Sequence, residues 1–210
     1  MIKAVVFDYG KVICHPPPDS KFDDIAAIAG VSRDAIEPLL WKHRHNYDNG
    51  KLSAIEYYRV VLNDLNITLD NEGLCKIRDA DFFCWTSINE ETVRLMGDIK
   101  RSGLVLGILS NMPFDFLRYA RKRYPVMDMA HVAVYSCNTG VVKPEKAIYN
   151  ILLERINLRA ACLPREVVFF DDMPENVAAA RDAKINAVVW ESCAMARDEL
   201  KRLGVKLDGG

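Results

Sequence analysis

The first apolar run of the chain, Ala4-Val5-Val6-Phe7, is short, rich in β-branched residues and ends in Asp8. Unbroken apolarity, rather than alternation, predicts a strand buried on both faces, as in a parallel sheet. Gly10 lets the backbone turn sharply or approach a ligand closely. No helix is expected next, since Val12-Ile13-Cys14 is apolar and the triple proline at 16–18 stops any regular element. The period then becomes helical. Phe22, Ile25, Ala26 and Ala29 mark one face of a helix over 19–29 that Gly30 closes, and Ser32 caps a second over 33–47. Asp48-Asn49-Gly50 is a turn. Ser53 and Glu56 form a capping-box pattern ahead of Tyr57, Tyr58, Val61, Leu62 and Leu65, and a further helix is expected over 71–83. Four helices with no strand are long for a connection and predict an inserted helical unit over 16–85.

From Asn89 helix and strand alternate. Helices are expected over 90–101, 114–123, 145–156 and from Pro174, with a last one ending near Leu203. Strands are expected over 104–109, 132–135, 167–170 and 187–190. This alternation predicts βαβ units, hence an α/β fold: a Rossmann-like parallel sheet, helices on both faces, assembled from 1–15 and 86–210. The tail 208–210 is expected to be loose.

Composition narrows the class. Twenty-eight basic and 29 acidic residues leave a net charge of −1, so no basic excess points to nucleic acid or an anionic membrane surface. No run resembles a membrane span or a secretory signal, the chain entering a strand directly after Met1-Ile2-Lys3. The six cysteines are scattered without a Cys-x-x-Cys, which reads as reduced thiols and a cytoplasmic protein. Oligomeric state is left open.

Polar residues follow the carboxyl ends of the expected strands: Asp8, Ser110 with Asn111, and Asp171 with Asp172, while Lys143 lies in the loop after the third strand. In a parallel sheet these ends share one edge, where ligands of open α/β sheets bind. Singly, each has an ordinary structural explanation: a helix cap, a solvated lysine, an acid beside a helix dipole. Capping does not call for a lysine or paired acids, so the set as a whole points to chemistry. Asp8 and the acidic pair offer hard oxygen ligands suited to Mg²⁺. Crowded carboxylates need a cation or lysine between them. Ser110 and nearby backbone N–H groups suit phosphate oxygens, and Asp8 could attack phosphorus.

Four segments carry a family resemblance spanning nearly the whole chain: Val-Phe-Asp8-Tyr-Gly-Lys-Val, Leu109-Ser110-Asn111, Lys143-Pro144-Glu145, and Phe170-Asp171-Asp172-Met-Pro-Glu-Asn176-Val. In order and context they resemble the haloacid dehalogenase-like hydrolase superfamily. The resemblance implies Asp8 as nucleophile and Ser110, with Asn111, on the phosphate. It implies Lys143 as the cation between nucleophile and phosphate, and Mg²⁺ held by Asp8, the Gly10 carbonyl and Asp172, with Asp171 assisting and Asn176 behind them. The helical insertion matches the family's cap. One departure stands out. Family phosphatases carry a second aspartate two residues after the nucleophile as general acid and base; here it is Gly10, as in a subgroup reading Asp-x-Gly-x-Val.

The leading expectation is therefore a Mg²⁺-dependent phosphatase acting on a small phosphorylated metabolite, sugar phosphates among the candidates, through an aspartyl-phosphate. A metal-independent 2-haloacid dehalogenase is the second reading, and a binding or scaffold protein with weakened chemistry the third. His15 is the nearest titratable group to replace the missing acid. In the cap, His43, His45, Tyr47 and Asp48 gather at a helix end, and either face substrate or form a solvated terminus.

Overall fold

The computed structural model of the chain describes residues 1–18 and 20–207, so the expectations for position 19 and for a loose tail at 208–210 lie outside the described residues. Five parallel strands form one sheet: β1 (Ala4–Phe7), β2 (Val105–Ser110), β3 (Val132–Tyr135), β4 (Val167–Asp171) and β5 (Asn186–Val189), in the order β3-β2-β1-β4-β5. The order reverses at β1. Successive strands run outward on its β2 side, then the chain returns to lay β4 on its other side, leaving a crevice beyond the carboxyl ends of β1 and β4.

The continuous apolar runs are buried on both faces. Along β1, Val5 and Phe7 point to one face, packing with Leu95, Met96 and Ile99 of α5 (Glu90–Arg101) and Leu200 of α10 (Cys193–Arg202). Ala4 and Val6 point to the other, against Ile148, Tyr149 and Leu152 of α8 (Lys146–Arg159) and Val177 of α9 (Pro174–Asp182). Each fully buried large apolar side chain contributes roughly 1.5–3 kcal/mol. Gly107 on β2 permits the close approach of β1, since a Cβ there would lie 2.9 Å from a methyl of Val6.

Between β1 and α5 come four helices: α1 (Lys21–Ala29), α2 (Arg33–Asp48), α3 (Ala54–Asn63) and α4 (Asn71–Phe83). They have their own core, centred on Ile25, Tyr57, Val61 and Ile77, with Tyr47 stacked 4.4 Å from Tyr57. The Ser53–Glu56 capping box forms as expected. The two chain crossings into this unit run side by side: Cys14 bridges Ile88, and His15 N–H donates to Ser87 O at 2.7 Å. The unit is also tied to the sheet edge. The Ser136 hydroxyl donates to Asp48 O (2.6 Å), and Ala54 N–H donates to Asp115 Oδ2 (2.8 Å).

Two short elements that follow strands at the site edge were not legible in the sequence. Residues Tyr9–Ile13, expected without a helix, make a wide turn in which Gly10 is non-helical (φ −64°, ψ 127°) and Lys11 takes a left-handed conformation, φ 56°. Cys14 N–H closes it on Tyr9 O at 2.9 Å. The one-turn helix α7 (Ser136–Thr139) follows β3 directly and ends at Gly140. Both are too short to leave a periodic signal. Of α1 to α10, α4, α5 and α6 (Phe114–Arg123) fall where the pattern put them. Among the described residues no helix is long and apolar enough to cross a membrane.

Candidate active site

The sheet register brings the polar groups together. Phe7 pairs with Phe170 and with Ile108, so the residues that follow, Asp8 and Asp171, lie level on adjacent strands. Asp8 N–H donates to Phe170 O at 2.9 Å and ties the first turn to β4. Ser110 ends β2 alongside Tyr135, the last residue of β3, and the chain after α7 returns Lys143 into the same crevice.

Lys143 is the centre of the arrangement. Its ammonium lies 2.8 Å from Asp8 Oδ1 and 2.6 Å from Asp171 Oδ2, and donates to Leu109 O at 3.2 Å, with the side chain 1% exposed. Burial alone would lower its pKa, but the charges of Asp171 and Asp8 outweigh burial and hold it above the usual lysine value. Its backbone is fixed as well: Asn111 Nδ2 donates to Lys143 O (2.9 Å) and Lys143 N–H donates to Asn111 Oδ1 (2.8 Å). Both ends of the Asn111 amide are thus engaged in positioning the lysine loop.

The three carboxylates differ in what they leave free. Asp171 is fully buried and satisfied, accepting from Met173 N–H (2.9 Å), Asn176 Nδ2 (2.9 Å) and Lys143. The Asn176 amide thus steadies Asp171. Asp172 contacts the Lys11 ammonium at 3.1 Å. Asp8 Oδ1 is buried; the nearby lysine acts on it through charge, off the direction of a hydrogen bond. Burial pushes the Asp8 carboxyl up to about 7, Lys143 opposing and Asp171 adding to the rise.

One oxygen each from Asp8, Asp171 and Asp172 lie within 4.8 Å of one another. Oxygens around Mg²⁺ at about 2.1 Å are roughly 3–4 Å apart, so a small contraction would close the set on such an ion. An all-oxygen donor set of high negative charge, with an incompletely bonded buried oxygen on Asp8, fits a hard divalent cation. Asp8 and Asp172 offer free lone pairs, whereas those of Asp171 are largely taken.

Asp8, Asp172 and Lys143 floor a cavity of about 360 Å³ that also includes Gly10, Ser110, Asn111 and Asn176, with Asp171 buried behind it. Its roof is the helical insertion. Of the cap residues singled out in the sequence, Asp48 lines the cavity. His43 instead pairs with Asp64 at 2.9 Å away from it, His45 is exposed, and Tyr47 is in the core of the insertion. His15 borders a different surface recess, beside Asn89 and Glu191. The sequence reading missed Lys21, Trp41, Arg44 and Trp85, all of which line the cavity. A signal existed: Trp41, Arg44 and Asp48 are three and four residues apart, one face of α2.

Comparison with known proteins agrees with this geometry. The family described as haloacid dehalogenase-like hydrolase matches residues 2–184. A phosphatase of Mycobacterium tuberculosis is 24% identical over 99% of this chain and 98% of its own length. The mouse bifunctional epoxide hydrolase 2 is 30% identical over 56% of this chain, which spans only 21% of that protein. Among solved structures, an enzyme of Bacteroides thetaiotaomicron in complex with magnesium and inorganic phosphate superposes with a TM-score of 0.73 at 18% identity, covering 91% of this chain and 95% of its own. A likeness at that identity speaks to the fold.

Proposed function

This chain belongs to the haloacid dehalogenase-like hydrolase family, and within it we propose a Mg²⁺-dependent phosphatase that releases phosphate from a small phosphorylated metabolite by way of an aspartyl-phosphate on Asp8. The observation that carries the reading is the buried Lys143 ammonium between Asp8 and Asp171, with Asp172 beside them at the open sheet edge. The full-length similarity to a phosphatase and the magnesium and phosphate in the Bacteroides neighbour support it. Segment 16–85 is the cap in this reading. The cytoplasmic placement rests on cysteine usage alone.

In the first step an Asp8 oxygen bonds to phosphorus while the bond from phosphorus to the substrate's leaving oxygen breaks. Lys143 holds a fixed positive charge beside nucleophile and phosphoryl group, and Asn111 and Asp171 hold Lys143. Ser110, which lines the cavity, would bond a phosphate oxygen. In the second step water attacks phosphorus, the phosphorus–Asp8 bond breaks, and inorganic phosphate leaves. Asp8, Asp172 and the Gly10 carbonyl would hold Mg²⁺, which when bound supplies positive charge that screens the carboxylates and draws charge from the phosphoryl oxygens. No carboxylic acid stands at Gly10, so the leaving oxygen departs with much of its negative charge.

The test is hydrolysis of p-nitrophenyl phosphate with and without Mg²⁺, alongside chloride release from a 2-haloacid. Turnover that requires Mg²⁺ is the expected result. Metal-independent chloride release would replace this reading with the dehalogenase, and neither activity would leave a binding protein.

A further inference from the structure

Four cations line the cavity, and three have carboxylates in contact. Lys143 has Asp8 and Asp171, Lys11 has Asp172, and the partly buried Arg44 has Asp48 (3.0 Å) and Asp81 (3.2 Å). Lys21, the first residue of α1, is different. Among the described residues no carboxylate lies within ion-pair distance of its ammonium, which instead sits 4.3 Å from the ring centre of Phe22 and 5.2 Å from those of Trp41 and Trp85. The Asp81 charge reaches it only from a distance, because Asp81 accepts from Tyr58, Arg44 and Trp85. Burial lowers the Lys21 pKa, so the site works against the charge it holds. Aromatic faces attract a cation but leave its hydrogen-bonding capacity unused.

The rest of the roof presents the indoles of Trp41 and Trp85 beside the Arg44–Asp48 ion pair. Trp41 is half exposed, though an indole is costly to leave in water. Trp85 is fixed by its own indole N–H on Asp81 (3.2 Å) and by the Tyr9 hydroxyl on its carbonyl (2.9 Å). Its ring edge lies 3.6 Å from where a Cβ on Gly10 would be, so an aromatic side chain borders the position of the family's acid. Such walls suit a planar leaving group. A phenol oxygen is also weakly basic and departs most easily without a proton donor.

We propose that the substrate is an aryl phosphate carrying a second anionic group: phosphate over Asp8 and Lys143, ring against Trp41 and Trp85, and the second anion on Lys21. This assignment rests on the phosphatase reading above and narrows it. Lys21 and Trp41 then set specificity from the cap, while the core supplies the chemistry.

The experiment compares 3-carboxyphenyl phosphate with phenyl phosphate, whose phenols differ little in acidity, so that leaving-group basicity is held nearly constant. kcat/KM is measured with Mg²⁺ for the wild type, Lys21→Met and Trp41→Ala. Calorimetric Kd values are measured on Asp8→Asn and Asp8→Asn/Lys21→Met, which do not turn over. The wild type is expected to prefer the carboxylated ester on the order of tenfold, as for a contact with a charged group. Lys21→Met should bring the two esters to within about twofold, in rate and in Kd. Trp41→Ala should raise KM for both. Equal treatment of the two esters by the wild type, or a preference that survives Lys21→Met, overturns the assignment. If neither ester is hydrolysed but the Kd preference depends on Lys21, the ligand assignment holds and the phosphatase reading fails. If neither is hydrolysed and neither bound, both fail.

Discussion

Asp8→Asn removes one charge at the most crowded point of the site while keeping the shape of the side chain. The Asp8 carboxyl is raised from 3.8 to about 7, first because burial disfavours the anion. The unfolded chain therefore releases this proton near pH 4 and the folded chain near pH 7. Between these values the folded state binds more protons, so stability falls as pH rises and stays reduced above about 7. Three pKa units correspond to at most ~4 kcal/mol, with Lys143 already counted in the shift. Asn resembles the neutral acid and should lift that penalty. Without metal at pH 8, the variant is expected to be more stable by ~2–4 kcal/mol, a Tm rise of about 5–10 °C for a chain of this size. At pH 4 the two proteins should melt together. Adding Mg²⁺ should raise the wild-type Tm by mass action and raise that of the variant far less, because the variant offers one carboxylate fewer. Turnover should be lost. The assay is a pair of thermal melts across pH 4–8, with and without Mg²⁺, beside steady-state kinetics. A variant that melts below the wild type at pH 8 without metal would refute the electrostatic argument, and substantial residual turnover would remove Asp8 as nucleophile.

Asp172→Ala removes a carboxylate whose only ion-pair partner among the described residues is Lys11; the Mg²⁺ midpoint of activity should rise by on the order of tenfold and the maximal rate fall, and an unchanged titration would exclude Asp172 from the metal site. Gly10→Asp is sterically feasible, since the backbone there (φ −64°, ψ 127°) suits any residue and Trp85 lies 3.6 Å from the added Cβ. Across esters graded by leaving-group pKa, kcat/KM should fall steeply for the wild type and less steeply for the variant; a flat wild-type series with chemistry rate-limiting would mean that another residue already donates the proton. Gly50→Ala places a Cβ at φ +81°, 2.7 Å from the Phe114 ring and 2.8 Å from Cys137 O, where the insertion meets the core. It should cost ~1–3 kcal/mol in denaturant unfolding, and a neutral result would mean that this contact yields easily.

The sequence carried the core well because its information there is local. Apolar runs ending in Asp8, Ser110 and Asp171 state both the strand and the edge at which it ends, and parallel pairing makes those edges coincide. Strand limits moved by a residue, as at β2 and β5, because the chain pairs by register rather than by composition. The roof of the cavity was far less legible. Whether Trp41 or His43 faces the site depends on the rotation of α2, and that is set by the Tyr47–Tyr57 stack and by Ser136 holding the carbonyl of Asp48. Asn111 and Asp171 were legible as polar residues at strand ends. Only the geometry shows that the first holds a backbone and the second holds the lysine.

Charge explains why these groups belong together. Asp8, Asp171 and Asp172 face Lys143 and Lys11, leaving one negative charge in excess in a largely buried cluster. Such a site repels a phosphate dianion. A divalent cation between Asp8 and Asp172 reverses the balance to one positive charge, which attracts it. Phosphate affinity should therefore depend on Mg²⁺ binding first, and Lys11 should lose its hold on Asp172 in the process. Titrating inorganic phosphate by calorimetry with and without Mg²⁺ tests the order. Tight phosphate binding in metal-free protein at pH 8, where the Asp8 carboxyl is ionised, would contradict the charge count.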